Sequence, residues 1–355
     1  MEQFIGCDAH KKFSVFASMN EYGEYGPCDR VGHEREEFRA YLRKLPAGSQ
    51  IAVETSGCYY WLVDEIAEAG HAPRLAHART AKQRMKGRHK TNLRDARGLA
   101  MLLRNGTLPE VWIPPARLRD EREMLRWRMS LSRMRCGIKN RIHGILQHYN
   151  VDIRCSDLFG DSGREALFAQ LGELPAWSRE SIERQLSVID ALEAQMRDCE
   201  QRLETMLACS AERDLLQSAP GVGKILSAVE ALEIGDVRRF PTSGHLASYA
   251  GLVPCARESS DWKRQDGCPP DCNVYLRWAY IEAANVIAAH RNREQWKERF
   301  VVQLYERVRA RTRMHGKATT AVARHLAEAS YWILNKQQLY REPRTMRQAL
   351  SSTQG

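Results

Sequence analysis

The chain of 355 residues has no apolar run long enough to span a bilayer. No secretory leader pattern precedes Gly6. No membrane partner is therefore expected, and the expected location is the cytoplasm, with nucleoid association when the protein acts. Internal repeats and low-complexity tracts are absent too. The G-x-S-x-G elbow of serine hydrolases does not occur around the serines of interest. Cys255, Cys268 and Cys272 do not follow a usual zinc spacing, and no fourth ligand accompanies them. The ten cysteines are scattered, many beside apolar residues, as reduced thiols are. Negative charge is in short supply: 44 acids against 54 Lys and Arg leave a net charge of +10. A polyanion is the expected partner.

Against that basic background, three acids stand out. Asp8 ends the apolar run Phe4-Ile5-Gly6-Cys7, and Glu54 ends Ile51-Ala52-Val53. Asp95 lies where Lys90-Thr91-Asn92-Leu93-Arg94-Asp95-Ala96 opens a helical pattern. Carboxylates at strand ends, with a third on a following helix, suit a hard cation such as Mg²⁺. Two such ions about 4 Å apart can clamp the attacking and leaving oxygens of a phosphodiester. Each acid taken alone is an ordinary cap.

Length predicts more than one domain. Residues 1–115 read as α/β, with strands at 3–7, 13–19, 50–54 and 74–76 and helices at 34–45 and 59–68, the second stopped by Gly70. A dense basic stretch follows: Arg79, Lys82, Arg84, Lys86, Arg88, Lys90, Arg94 and Arg97. Abutting Asp95, it reads as a phosphate-backbone track rather than a merely solvated face. Pro109, Pro114 and Pro115 mark a linker. Residues 116–210 read as a basic helical, coiled-coil segment. A long helix over 117–149 carries Arg126, Arg133 and Arg141, which are expected to touch nucleic acid, and a second covers 179–207. Their near-heptad stripes fit an antiparallel hairpin or an intersubunit coiled coil equally well. Tyr59, Tyr60 and Trp61 offer base stacking, although this spacing more often serves a core.

Residues 211–340 read as all-helical, with a polar tail at 341–355 that frays from about 336. Ser218-Ala219-Pro220-Gly221-Val222-Gly223 is a glycine hairpin between helices. It either lets backbone N–H groups approach a phosphate or forms a tight packed turn. In Cys255-Ala256-Arg257-Glu258-Ser259-Ser260-Asp261-Trp262-Lys263, a serine lies in a basic loop, with Arg277 beyond. A serine flanked by cations can attack a phosphodiester if a base or metal activates it. From the residues alone, an exposed polar loop is the simpler reading.

Together these segments resemble the DEDD-type transposases of the IS-one-ten family of insertion sequences, which includes Piv-like DNA invertases. The markers run from Gly6-Cys7-Asp8 and Val53-Glu54-Thr55-Ser56-Gly57 through Lys90–Ala96, Leu108-Pro109-Glu110-Val111-Trp112 and Lys139-Asn140-Arg141-Ile142. They continue through Pro220–Gly223, Arg239-Phe240, Ala250-Gly251-Leu252-Val253-Pro254 and Tyr275-Leu276-Arg277-Trp278-Ala279. The resemblance implies a RuvC-like RNase H fold for 1–115. It also implies a helical C-terminal transposase domain with a helix-hairpin-helix-like segment over 211–340. Asp8, Glu54, Asn92 and Asp95 would hold Mg²⁺, and Asp8, Glu54, Asp95 and Ser259 would be catalytic. The nucleic-acid-binding set would include Arg257, Lys263 and Arg277. The implied partners are donor and target DNA and a structured noncoding guide RNA from the element, with the chain acting as a homodimer or homotetramer. Serine attack on a phosphate would hold the strand covalently and conserve its bond energy for rejoining.

Two positions depart from the family pattern. Asn92 stands where aspartate is usual, supplying an oxygen ligand without charge. Ser260 follows Ser259 where a small residue such as glycine is common, leaving either serine as the nucleophile. The alternatives are a RuvC-like metal-dependent nuclease of branched DNA and an inactive nucleic-acid-binding remnant, the latter favoured only by Asn92.

Overall fold

The computed structural model describes residues 3–85, 91–259, 262–266 and 271–343, with 255–259 and 262–266 described by their backbone. The chain divides into two compact units, Met1–Arg117 and Leu118–Gly355.

In the first unit, β1 (Gln3–Ala9), β2 (Phe13–Asn20) and β3 (Tyr25–Gly32) precede α1 (Arg35–Leu42). β4 (Gln50–Glu54), α2 (Tyr59–Glu68), β5 (Ala72–Ala76), α3 (Ala78–Met85), α4 (Asn92–Arg104) and β6 (Glu110–Val111) follow. The sheet order is β3-β2-β1-β4-β5-β6. β1–β2 and β2–β3 pair antiparallel, whereas β1–β4 and β4–β5 are parallel. Central β4 buries Ile51, Ala52 and Val53 completely, so its sequence is a continuous apolar run rather than an alternation. Ile51 and Val53 meet Phe38 and Leu42 of α1 and Leu62 and Ile66 of α2. Ala52 faces the other way, toward Leu99, Leu102 and Leu103 of α4 and Ala81 of α3. Helices thus cover both faces of the sheet.

The sequence reading has no strand at 25–32. β3 is a largely exposed edge strand containing Gly26 and Pro27, so it lacks the apolar alternation that marks a strand, and proline is tolerated at an edge. The expected linker contains β6, a two-residue strand pairing with β5.

The second unit begins with two long helices, α5 (Ala116–His148) and α7 (Ala176–Met206), with α6 (Asp161–Gln170) between them. Arg128 pairs with Glu200 and Arg135 with Glu193, so the two run antiparallel within one chain. Ile142 and Leu146 pack on Ile182, Leu186 and Ile189. Then come α8 (Ala211–Leu216), α9 (Lys224–Ile234) and α10 (Ser243–Tyr249). β7 (Cys255–Ser259) and β8 (Trp262–Asp266) form an antiparallel pair. α11 (Val274–His290), α12 (Glu294–Lys297), α13 (Phe300–Thr312) and α14 (His315–Lys336) complete the unit. Its core gathers Leu276, Tyr280 and Ile287 of α11, Tyr305 of α13 and Val322 and Leu326 of α14.

Two expectations are corrected here. The segment 211–340 is not all-helical, because β7 and β8 interrupt it. Their sequences are polar and charged, without the apolar alternation that signals a strand. The chain from 337 to 343 is also not frayed. The Tyr340 N–H donates to Ser218 Oγ at 2.7 Å, and Glu342 accepts from Arg299 Nε at 2.8 Å and Phe300 N at 3.0 Å. Among the described residues no helix is long and apolar enough to cross a membrane.

Candidate active site and nucleic-acid surfaces

The register Cys7↔Val53 sets the next residues, Asp8 and Glu54, side by side at the carboxyl ends of adjacent parallel strands. Ligand sites of open α/β sheets form at such strand ends. Side chains alternate along a strand, so Asp8 shares a face with Gly6, and Glu54 shares one with Ala52. That face is covered by α4, which touches the strand backbone at one point: a Cβ on Gly6 would lie 1.9 Å from the Ala96 carbonyl oxygen and 2.7 Å from the Ala100 nitrogen. Only glycine lets the helix backbone rest on the strand backbone there. The neighbour of Ala96 is Asp95, in the first turn of α4, whose Thr91 cap accepts from Arg94 N. Asn92 is one turn earlier, exposed, on the same side of the helix.

The carboxylates sense one another. Burial pushes the Asp8 carboxyl above its ordinary value; His10 opposes the shift, while the charges of Asp95 and Glu54 add to it. His10 Nε2 lies 3.1 Å from Asp8 Oδ2. The ammonium of Lys82, on α3, is 2.8 Å from Glu54 Oε1 and is held above its usual range by that hydrogen bond and by the charges of Glu54, Asp95 and Asp8. All the donors are oxygens, and mutual repulsion between them favours a hard cation, so the residues fit Mg²⁺ chemically. Among the described residues no three His, Cys, Asp or Glu side chains are gathered into one coordination sphere. Lys82, grouped in the sequence with the backbone track, also reaches the acids, a contact that the sequence reading did not foresee. Its place three residues before Met85 on a helix following β5 is legible only once β5 is set beside β4.

Of the remaining basic track, Arg79 and Arg84 are exposed on α3, with Arg84 donating to the Thr107 carbonyl. Lys86, Arg88 and Lys90 lie outside the described residues. Trp61 packs edge-on against Phe38 and His33, so it serves the core.

On α5 the arginines divide. Arg126 donates through Nε and Nη2 to Glu233 at 2.8 and 3.0 Å, and Glu233 is fully buried. Arg122 is buried too and donates to the carbonyls of Leu232 and Glu233. Arg126, itself half-buried, is therefore engaged by a buried carboxylate, a use that a count of positive charge does not reveal. Arg133 and Arg141 are exposed, Arg133 lying 5.5 Å from the Tyr275 ring centroid.

Ser259 ends β7, and Arg257 and Lys263 lie opposite neighbours in the β7–β8 register, where Arg257 pairs with Arg264 and Glu258 with Lys263. Ser260 lies outside the described residues. Arg277, one turn into α11, donates to Cys272 Sγ. In the glycine hairpin, Gly221 has φ +78°, and a Cβ there would meet the Ala283 carbonyl at 2.5 Å, so this glycine packs the turn onto α11.

Comparison with known proteins gives the class to which this carboxylate-bearing α/β unit and the mostly helical unit after it belong: they are parts of a transposase. A family profile described as Transposase, the DEDD type of IS110, matches residues 5–151. A second, described as Transposase IS116/IS110/IS902 family, matches residues 213–301. The chain belongs to the IS110 family of transposases. It is 25% identical over 346 residues to a "Probable family 20 transposase" of Pseudomonas aeruginosa, covering 95% of this chain and 98% of that one. The "Transposase for insertion sequence element IS1111A" of Coxiella burnetii is 24% identical over 342 residues, 96% of this chain and 91% of its own. A Streptomyces coelicolor protein, "Insertion element IS110 uncharacterized 43.6 kDa protein", is 30% identical over 154 residues, covering 43% of this chain and 36% of its own.

Proposed function

We propose that this transposase is an RNA-guided DNA recombinase that cuts and rejoins strands through a covalent phosphoserine at Ser259, assisted by Mg²⁺ at Asp8, Glu54, Asn92 and Asp95. The observation that carries the reading is the convergence of Asp8 and Glu54 on the face under α4, with Asp95 in its first turn. The strand order, three antiparallel strands followed by two parallel ones with helices on both faces, supports a RuvC-like RNase H fold. A bound Mg²⁺ supplies charge neutralisation at the phosphate and a lower pKa for a coordinated oxygen.

The chain's own residues do the rest. Ser259 Oγ attacks phosphorus, its proton passes to a base, and the P–O bond to the departing deoxyribose oxygen breaks; that oxygen leaves as a hydroxyl once protonated. The strand stays on the enzyme as a phosphodiester of serine. A hydroxyl of the second DNA then attacks the same phosphorus, loses its proton, and Ser259 Oγ departs and is reprotonated. Bond count is unchanged, so no high-energy cofactor is consumed. The exposed Arg79, Arg84, Arg133 and Arg141, with Arg257, Lys263 and Arg277, are assigned to DNA and guide-RNA backbones. Exchange between two DNAs needs several such sites, hence a homodimer or homotetramer.

The test is recombination with purified protein, the RNA transcribed from the element's flank, donor and target DNA and Mg²⁺. Wild type should give a covalent protein–DNA adduct and joined product, both lost in Ser259→Ala and Asp8→Ala. Metal-dependent cleavage that survives Ser259→Ala would instead establish a nuclease working from the carboxylates of the first unit alone. Product from Asn92→Asp but none from wild type would mark the chain as an inactive copy.

A further inference from the structure

The strand pair that carries Ser259 departs from the helical unit at Gly251 and rejoins it at Asn273. These two feet touch. Gly251 has φ +67°, and a Cβ there would lie 2.7 Å from Cys272 Sγ and 2.8 Å from Cys272 Cβ. The Asn273 N–H donates to the Tyr249 carbonyl at 2.8 Å.

Asn273 does more than close the loop. Its Oδ1 accepts from the N–H groups of Tyr275 and Leu276 at 3.1 and 2.9 Å, capping α11. Its Nδ2 donates to Glu233 Oε2 at 2.7 Å and to the Tyr249 hydroxyl at 3.1 Å. Glu233, in the last turn of α9, is fully buried, and Arg126 of α5 holds both its carboxylate oxygens. A buried carboxylate is tolerated only where charge and hydrogen bonds meet it in fixed directions. The amide of one loop-foot residue is therefore referenced, through one carboxylate, to helices α5 and α9.

We propose that Glu233 and Asn273 form a clamp that positions the Ser259 strand pair for attack, a role that rests on the serine reading above. The lever is long. Ser259 lies at the far end of a five-residue strand. At about 3.3 Å per residue, that places it roughly 13 Å from the strand's start, so a tilt of about 4° at the feet moves it by about 1 Å. A displacement of that size costs on the order of a hundredfold in rate. Both residues act through the strand pair and are positioning residues.

The test uses the full chain. Asn273→Ser keeps a capping hydroxyl for α11 but is too short to reach Glu233 and has no amide to donate. Amide hydrogen exchange over β7 and β8 should speed up by roughly tenfold or more while the helical core stays protected. The single-turnover rate of adduct formation should fall by roughly tenfold or more, with the half-saturating DNA concentration changed by less than about twofold. Tyr249→Phe, which removes one acceptor of the Asn273 amide and leaves cap and charge in place, should shift both readouts the same way by about threefold, and it carries the test if Asn273→Ser does not fold. Unchanged exchange in both variants overturns the clamp. Faster exchange with an unchanged adduct rate overturns its positioning role. A wild type that forms no adduct overturns the serine reading instead, and the exchange measurement separates that failure from a failure of the clamp.

Discussion

Replacing Gly6 with alanine adds one methyl group at the point where α4 rests on β1. That carbon would stand 1.9 Å from the Ala96 oxygen, where 3.0 Å is the closest approach real Cβ atoms show. The obstacle is helix backbone, not the end of a flexible side chain, so α4 must retreat by about 1 Å or tilt. Overpacking of this kind costs about 3 kcal/mol, a fall of about 10 °C in the melting midpoint of the first unit. The functional consequence is sharper than the loss of stability. Asp95 precedes Ala96 in the chain, so the retreat carries this carboxylate away from Asp8 and Glu54. A 1 Å misplacement of a reacting group costs on the order of a hundredfold in rate. Strand cleavage at saturating Mg²⁺ should therefore fall about a hundredfold in folded Gly6→Ala protein held well below its melting midpoint, with DNA binding little altered. Wild-type cleavage by a folded Gly6→Ala variant would refute the claim that backbone contact between β1 and α4 sets the position of Asp95.

Other expectations follow from single groups. Glu230 is fully buried, and burial lifts its carboxyl from 4.5 to about 8, so it is protonated in the fold and ionised in the unfolded chain at neutral pH. Its contribution is complete below pH 4.5 and is lost as pH rises through 8, by about 3 kcal/mol at pH 7 and about 5 kcal/mol above pH 8. Glu230→Gln keeps an acceptor for Ser330 and should flatten that slope in urea titrations at pH 6 and pH 8.5; an identical slope would refute the buried neutral acid. Lys82→Met removes the cation at Glu54, and the Mg²⁺ concentration giving half-maximal thermal stabilisation should fall several-fold, whereas a rise would make Lys82 a helper of the metal rather than its competitor. Removing the charge of Arg133 and Arg141 together should reduce the slope of log affinity against log salt for duplex DNA by about 2, and an unchanged slope would show that neither meets a phosphate. Arg126→Met should instead lower the melting midpoint, by the equivalent of about 3 kcal/mol, because it leaves the buried Glu233 carboxylate with only Arg122 and the Asn273 amide against it.

Much of the first unit was legible in order. Apolar runs ending in Asp8 and Glu54 placed β1 and β4, and the 59–68 periodicity matched α2. Edge strand β3 was not legible, because a strand that buries almost nothing has no reason to alternate. The β7–β8 pair escaped for the same reason, its ladder being written in backbone hydrogen bonds that polar side chains do not advertise. The long helices of the second unit were clear from their stripes, yet a stripe states that a face is buried, not by what. The pairs Arg128–Glu200 and Arg135–Glu193, and the packing of Ile142 and Leu146 on Ile182, Leu186 and Ile189, show that the partner is the same chain.

What the sequence by itself determined is the family, the excess of positive charge, and which acids close which strands, since these are written in residue type and short spacing. Tertiary structure alone decided the use of each charge. Arg126 and Arg133 are seven positions apart on one helix, and no local rule separates them. One is spent on the buried Glu233, contributed by a helix a hundred residues away, and the other faces solvent. Lys82 likewise reads as one cation among many until the parallel pairing of β4 and β5 carries α3 to Glu54. Burial and long-range pairing set the electrostatic role of a side chain, and neither is a property of the residue or its neighbours in sequence.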